Sequence, residues 1–266
     1  MTTTTMAPPG PTTEDPLAGG ADVWLLAEED VPRFAEATGG LDLLTEEERA
    51  RHDRLLFPAA RTRFLGARLL SRQVLSQYAD VPPAEWRFDK GRFGRPSIHS
   101  THQSDWGLDF NITHTNGLIA AIVVRGRTAG VDAENTPARP EALKFAPKVF
   151  TPLEQEVLRR DREQGHAFAD SWVAKEAYTK ATGMGMARGF DAFSVHRLRG
   201  GGLAVVDDEI PEPERPLWQI QVLQVWDRFA LGIAIRTTEH DEGPVPVRLR
   251  SAMAELLPTA PRDPAR

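Results

Sequence analysis

Trp172, Glu176 and Lys180 stand four residues apart in the run Trp172-Val-Ala-Lys-Glu-Ala-Tyr-Thr-Lys180. Good helix formers fill this run, and neither Gly nor Pro occurs before Gly183, so the spacing predicts a helix. At about 3.6 residues per turn the three side chains stack along one face. A ring, a carboxylate and an ammonium in line can close over an anionic ligand and its metal ion. The same trio can equally be a surface ion pair beside an anchoring ring, worth only about 0.3–0.5 kcal/mol. A second acidic group is Asp132-Ala133-Glu134, just after Gly130. On a strand, alternate side chains share a face, which turns Asp132 and Glu134 one way and Val131 and Ala133 into the core. Two carboxylates about 6–7 Å apart repel each other unless a cation lies between them. Hard oxygen donors without a neighbouring cysteine favour Mg²⁺ over Zn²⁺. Taken alone, D-x-E is a common pattern.

The basic groups lie upstream. Arg51, Arg54, Arg61, Arg63, Arg68 and Arg72 face a single Asp53 between residues 51 and 72. Guanidinium groups match phosphate bidentately, although long cationic chains also decorate solvated helices. Arg87, Lys90, Arg92 and Arg95 extend the positive character through a loop marked by Gly91 and Gly94-Arg95-Pro96. Thr113 and His114 precede Asn116-Gly117, a hairpin signal, so residues 110–113 and 118–124 are expected to pair with both side chains at the mouth of the turn.

These groups need elements to hold them. Residues 22–27 suit a buried first strand, and Thr45 followed by three glutamates suits a capped helix running towards Leu56. Pro58 should end that helix; a second is expected from about Ala60 to Tyr78. Thr151-Pro152-Leu153-Glu154 has the N-cap, N1 and N3 residues of a capping box, which by itself explains Glu154. Residues 191–206 and 217–236 suit further strands. The apolar stretch 229–235 echoes 118–124 about 105 residues earlier, and helices precede a hairpin in both places, which points to two related α+β halves.

The 266 residues are enough for one large core or two packed half-domains. With no cysteine, disulfides, thiolate metal sites and a cysteine nucleophile are excluded, which suits a cytoplasmic location. A net charge of −6 disfavours general affinity for nucleic acid or anionic membrane, and no run approaches the roughly 20 apolar residues of a membrane span. Residues 1–20 are expected to form a disordered leader and residues 243–266 a Pro-rich tail with one amphipathic piece.

Gly130-Val-Asp-Ala-Glu134, followed about forty residues later by Trp172-x-x-Lys-Glu-Ala-x-x-Lys180, resembles the signature pair of the 4′-phosphopantetheinyl transferases. Phe110-Asn-Ile-Thr-His114, Gly94-Arg-Pro96 and the helix around Arg63 extend the likeness to the longer, Sfp-type branch, over roughly residues 23–235. The resemblance implies an α+β fold of two similar half-domains, 21–128 and 129–242, related by a pseudo-twofold axis, each an antiparallel sheet packed on helices. It implies transfer of the phosphopantetheine arm of coenzyme A to a serine of an apo acyl or peptidyl carrier protein, dependent on Mg²⁺, in a monomer with one site at the junction. Asp132, Glu134 and Glu176 correspond to the Mg²⁺ carboxylates, Lys180 to the pyrophosphate lysine and Glu154 to a general base. Arg51, Arg63, Arg95, Thr113 and His114 correspond to ligands of the coenzyme A phosphates, with His114 and Arg63 towards the 3′-phosphate. Thr113 replaces a usual serine, Arg51 and Arg95 replace lysines, and Glu48 falls where a basic residue can occur. The alternatives are a Mg²⁺-dependent phosphodiesterase using water, and a relative that binds carriers or coenzyme A without turnover.

Overall fold

In the computed structural model, the described residues are 17, 19–91, 94–99, 106–185, 189–198, 202–208, 217–239 and 241–256. Most of the expected leader, Arg92 and residues 257–266 lie outside them.

Two copies of one strand-and-helix arrangement follow each other along the chain. In the first, β1 (Ala21–Ala27) leads through α1 (Val31–Thr38) and α2 (Glu46–Arg54) to the long α3 (Pro58–Leu75). A small ribbon of β2 (Phe88–Lys90) and β3 (Pro96–Ile98) follows, then the hairpin β4 (Leu108–Thr115) and β5 (Leu118–Arg125). The second begins with β6 (Ala129–Asn135) and runs through α4 (Pro140–Leu143), α5 (Ala146–Val149) and α6 (Pro152–Arg160) to the long α7 (Gln164–Thr182). It closes with β7 (Phe193–Arg197), β8 (Leu203–Asp207) and the hairpin β9 (Trp218–Val225) and β10 (Phe229–Arg236). In each half the first strand lies antiparallel to the last, and the last pairs with the strand before it.

Local chemistry accounts for the boundaries. Thr45 and Thr151 each close a capping box, with Glu48 and Glu154 returning the bond, so both α2 and α6 start where their sequences promise. Pro58 sits in the first turn of α3, where its missing N–H costs nothing, so it opens that helix; the one before has already ended at Arg54, with Leu55 extended. Gly183 ends α7 in the left-handed region at φ 73°. The β4 strand is longer than the sequence suggested, which moves Thr113 away from the turn to pair with Ala120 and leaves Thr115 at its mouth.

The two sheets share one core. Val23, Leu25, Leu118, Ile122, Val131, Ala133, Leu231 and Ile233 meet between them, while the outer faces take α3 on one side and α7 on the other. The expected tail is not separate from this body. A strand β11 (Val247–Ser251) pairs in parallel with β1, and α8 (Ala252–Leu256) packs behind it. Its anchor is a fully buried carboxylate: Asp22 accepts from Arg248 Nε at 2.5 Å, Arg250 Nε at 2.6 Å and the Tyr78 hydroxyl at 2.6 Å. A composition of prolines and charges does not disclose that pairing, because its partner lies 226 and 228 residues earlier.

At two points α7 meets the sheet with no side chain between them. A Cβ on Gly130 would stand 2.1 Å from the Ala177 carbonyl oxygen, and one on Gly232 2.1 Å from that of Val173. The helix therefore rests on bare strand backbone. Gly232 pairs with Asp132 across the sheet, so this close approach brings α7 over the acidic stretch of β6. Gly232→Ala is expected to force the helix outwards and to lower stability by about 2 kcal/mol or more, read from the denaturation midpoint. An unchanged midpoint would show that α7 can step back at no cost.

Candidate active site

The edge strands β4 and β6 are joined by side chains. Asp109 Oδ2 accepts from the Ala129 N–H and Asn111 Oδ1 from the Val131 N–H, at 3.2 and 3.0 Å. The Thr113 hydroxyl then donates to Asp132 Oδ1 at 2.9 Å, and Thr115 to Glu134 Oε2 at 3.1 Å. Alternate residues of one strand thus fasten the other, and each acid of the D-x-E pair is oriented by a threonine across the seam. From the other side α7 supplies Glu176 and Lys180. Lys180 Nζ donates to Asp132 Oδ1 at 2.5 Å and to the Thr113 hydroxyl at 3.0 Å.

Asp132, Glu134, Glu176, Lys180, Thr113, His114 and Trp172 all line one cleft of about 1260 Å³. That exceeds the roughly 300–1,000 Å³ of ordinary ligand pockets and leaves room for a nucleotide with part of a partner. The rest of the lining is charged and aromatic: Arg51, Arg68, Arg72, Arg87 and Lys90 with Phe64 and Phe88, interspersed with Glu46, Glu47, Glu48 and Asp89. The Arg51 and Arg68 guanidinium groups lie 5.4 and 5.1 Å from the Phe64 centroid. Glu48 holds the buried Arg72 at 2.6 Å and Arg68 at 3.5 Å, so the acid at that position organises arginines.

The acids carry more negative charge than Lys180 offsets. Burial, and then the charge of Asp132, push the Glu176 carboxyl from its ordinary 4.5 up to about 7. The same two causes raise Glu134. Asp132 Oδ2 is buried with no hydrogen-bond partner. Three oxygen donors, surplus negative charge and an orphaned carboxylate oxygen fit a hard divalent cation. As they stand, no three such side chains among the described residues are drawn into a metal cage, and the ammonium of Lys180 is what Asp132 holds.

Other expected site residues go elsewhere. Arg63 Nη1 is bound by both oxygens of Glu28 at 3.0 Å, and it acts on the cleft at a distance: after desolvation, its charge is the next cause lowering the pKa of His114. Arg95 points inwards, paired with Asp109 at 2.7 Å and donating to the carbonyls of Ala129 and Ala181, so its head ties β4, β6 and α7 together. Glu154 is buried against Lys175 and lines no part of the cleft. In each case a nearer opposite charge or carbonyl holds the group, which motif matching does not register. The seam roles of Asp109, Asn111 and Thr115 escaped the sequence reading, because the strand expected over residues 110–113 stopped short of Asp109 and Thr115. The pairing of Lys175 with Glu154 and the close approach at Gly232 escaped it too.

A model of the 4′-phosphopantetheinyl transferase N-terminal region matches residues 31–124, and the 4′-phosphopantetheinyl transferase superfamily model matches residues 128–234. The chain belongs to the 4′-phosphopantetheinyl transferase superfamily. The boundary between the two matches falls at the junction of β5 and β6. The 4′-phosphopantetheinyl transferase HetI of Nostoc sp. is 35% identical over 147 residues, 54% of this chain and 62% of HetI. The match therefore spans about three fifths of that relative's length. The 4′-phosphopantetheinyl transferase Sfp of Bacillus subtilis is 26% identical over 195 residues, 73% of this chain and 80% of Sfp. Among solved structures, the holo-[acyl-carrier-protein] synthase of Thermotoga maritima aligns at TM-score 0.35 and 19% identity, over 42% of this chain and 64% of that one.

In this transferase-family cleft, the raised pKa of Glu176 has a consequence for stability. A carboxyl raised in the folded state stabilises fully only below its unfolded value, and that contribution is lost as pH climbs from about 4.5 to about 7. With divalent ions chelated, Glu176→Gln is expected to melt higher than the parent at about pH 8, by roughly 1 kcal/mol or more, and alike near pH 4. A variant melting below the parent at about pH 8 would contradict this.

Proposed function

We propose that this protein transfers the 4′-phosphopantetheine group of coenzyme A to a serine of an apo acyl or peptidyl carrier protein, releasing adenosine 3′,5′-bisphosphate. The observation that supports this most is the single cleft that Asp132, Glu134, Glu176 and Lys180 share with Arg51, Arg68, Arg87 and Lys90, in a chain of this superfamily. Asp132, Glu134 and Glu176 would hold Mg²⁺, which when bound neutralises pyrophosphate charge and polarises the bond to be broken. Lys180, freed from Asp132, binds the pyrophosphate as a point charge. Arg51, Arg68, Arg87, Lys90 and His114 offer charge and hydrogen bonds to the remaining phosphate, and Phe64 and Phe88 offer apolar surface to the nucleotide. Thr113 stays with Asp132 as an orienting group.

The serine oxygen forms a bond to the β-phosphorus of coenzyme A. The bond from that phosphorus to the bridging oxygen breaks, and its electron pair leaves with the nucleotide. The serine proton goes to a cleft side chain that does not hold the metal; His114 lines the cleft and can accept it, whereas Glu154 is sequestered by Lys175. Both halves of the site come from one chain, so one copy suffices, and the reading places it in the cytoplasm. No helix among the described residues is long and apolar enough to cross a membrane.

Apo carrier protein incubated with coenzyme A and Mg²⁺ should gain the mass of one phosphopantetheine group on its serine. Glu176→Gln should cut kcat/KM by about 10²-fold or more while the protein remains folded. Breakdown of coenzyme A without a carrier would instead mark a phosphodiesterase. Binding of carrier and coenzyme A with no product, across a panel of carriers, would mark an inactive relative.

A further inference from the structure

Lys175 immediately precedes Glu176 but is fully buried, outside the cleft. Its ammonium donates to Glu154 Oε2 and to the Phe193 carbonyl, both at 2.7 Å, and lies 4.5 Å from the Phe193 ring centroid. The same Glu154 oxygen accepts from the Thr151 N–H and hydroxyl at 2.8 and 3.0 Å, and the other accepts from the Val195 N–H at 2.8 Å. One carboxylate therefore joins the start of α6, the middle of α7 and β7, and all its donors are structural. Stability is a poor reason for such a pair, since well-packed apolar replacements of both partners are often no worse. What the pair supplies is direction.

Successive helix residues project about 100° apart, so fixing Lys175 fixes Glu176 beside it and Lys180 farther along. Gly130 and Gly232 set how near α7 comes to the sheet, while the Lys175 ammonium ties the helix sideways to α6 and β7. Tyr178, donating to Asp207 at 3.0 Å, acts on the same side of the helix as Lys175. We infer that the buried Glu154–Lys175 pair is a positioning device that sets the roll of α7, and with it the direction in which Glu176 and Lys180 enter the cleft. The inference relies on the reading of the cleft given above, and it gives Glu154 a task other than accepting the serine proton.

The test compares the full-length parent with Glu154→Gln, Lys175→Met and the double variant, with Mn²⁺ as the probe. Mn²⁺ affinity by electron paramagnetic resonance, kcat, KM for coenzyme A, and melting temperature are measured for each. Both single variants should bind Mn²⁺ about tenfold or more weakly, with kcat falling by a similar factor and KM for coenzyme A little changed. The double variant leaves no unpaired buried charge, so it should melt above the singles and yet keep the weak Mn²⁺ binding. It also supplies the reading if a single variant does not fold. Mn²⁺ affinity recovering together with melting temperature would make the pair purely structural and overturn the inference. Lost kcat with parental Mn²⁺ affinity in Glu154→Gln would also overturn it, returning Glu154 to the role of base. Because Mn²⁺ binding needs no carrier, an inactive parent with these same Mn²⁺ effects would sink the proposed reaction and leave the positioning role intact.

Discussion

Backbone-to-backbone contact between α7 and the strands beneath it is the constraint on which the rest depends. Side chains elsewhere in the core separate layers in the ordinary way, but at Gly130 and Gly232 there is nothing to separate them. The helix sinks until the carbonyls of Val173 and Ala177 meet the sheet, and only at that depth do Glu176 and Lys180 reach Asp132 and Glu134. Ala230 and Ala234 continue the small-residue floor on β10. The glycine before the acidic motif is therefore part of the site's architecture, although it touches no ligand. Its value lies in what it omits.

The acids so gathered are in tension with folding. Carboxylates in a cleft repel one another, and burial raises the cost of each charge. The chain offsets part of this internally: Lys180 bonds to Asp132, and threonines from β4 satisfy one oxygen of Asp132 and one of Glu134. The offset is incomplete, as the unpartnered Asp132 oxygen and the displaced pKa of Glu176 show. Such a site gains from a cation what it lacks in isolation. Stability given up at a functional site and regained on binding is a common trade. The arginines of the cleft are managed differently, by spacing them over Phe64 and Phe88 and holding two of them with Glu48.

Much of this was legible in the chain itself. Capping boxes at Thr45 and Thr151, the stop at Gly183 and the alternation of Asp132 with Val131 are local chemistry, and local chemistry survives folding. The acids and Lys180 were legible because their roles need particular residue types at fixed helical and strand spacing. The partners of the basic residues were not. Whether Arg63, Arg95 or Glu154 faces a ligand or a neighbour depends on which opposite charge the tertiary fold delivers first, and Glu28, Asp109 and Lys175 are 35, 14 and 21 residues distant. The parallel strand β11 was hidden for the same reason: its arginines answer a carboxylate at the far end of the chain.

The central claim is that Asp132, Glu134 and Glu176 act together on one divalent ion beside a diphosphate gripped by Lys180. The most direct measurement is a crystal structure of the protein with coenzyme A and Mn²⁺, using the anomalous signal to locate the metal. The account expects one peak touched by all three carboxylates, with the pyrophosphate against Lys180 and the nucleotide beside Arg51, Arg68 and Arg87. A metal peak elsewhere, or the nucleotide bound away from this cleft with the three acids untouched, would contradict it.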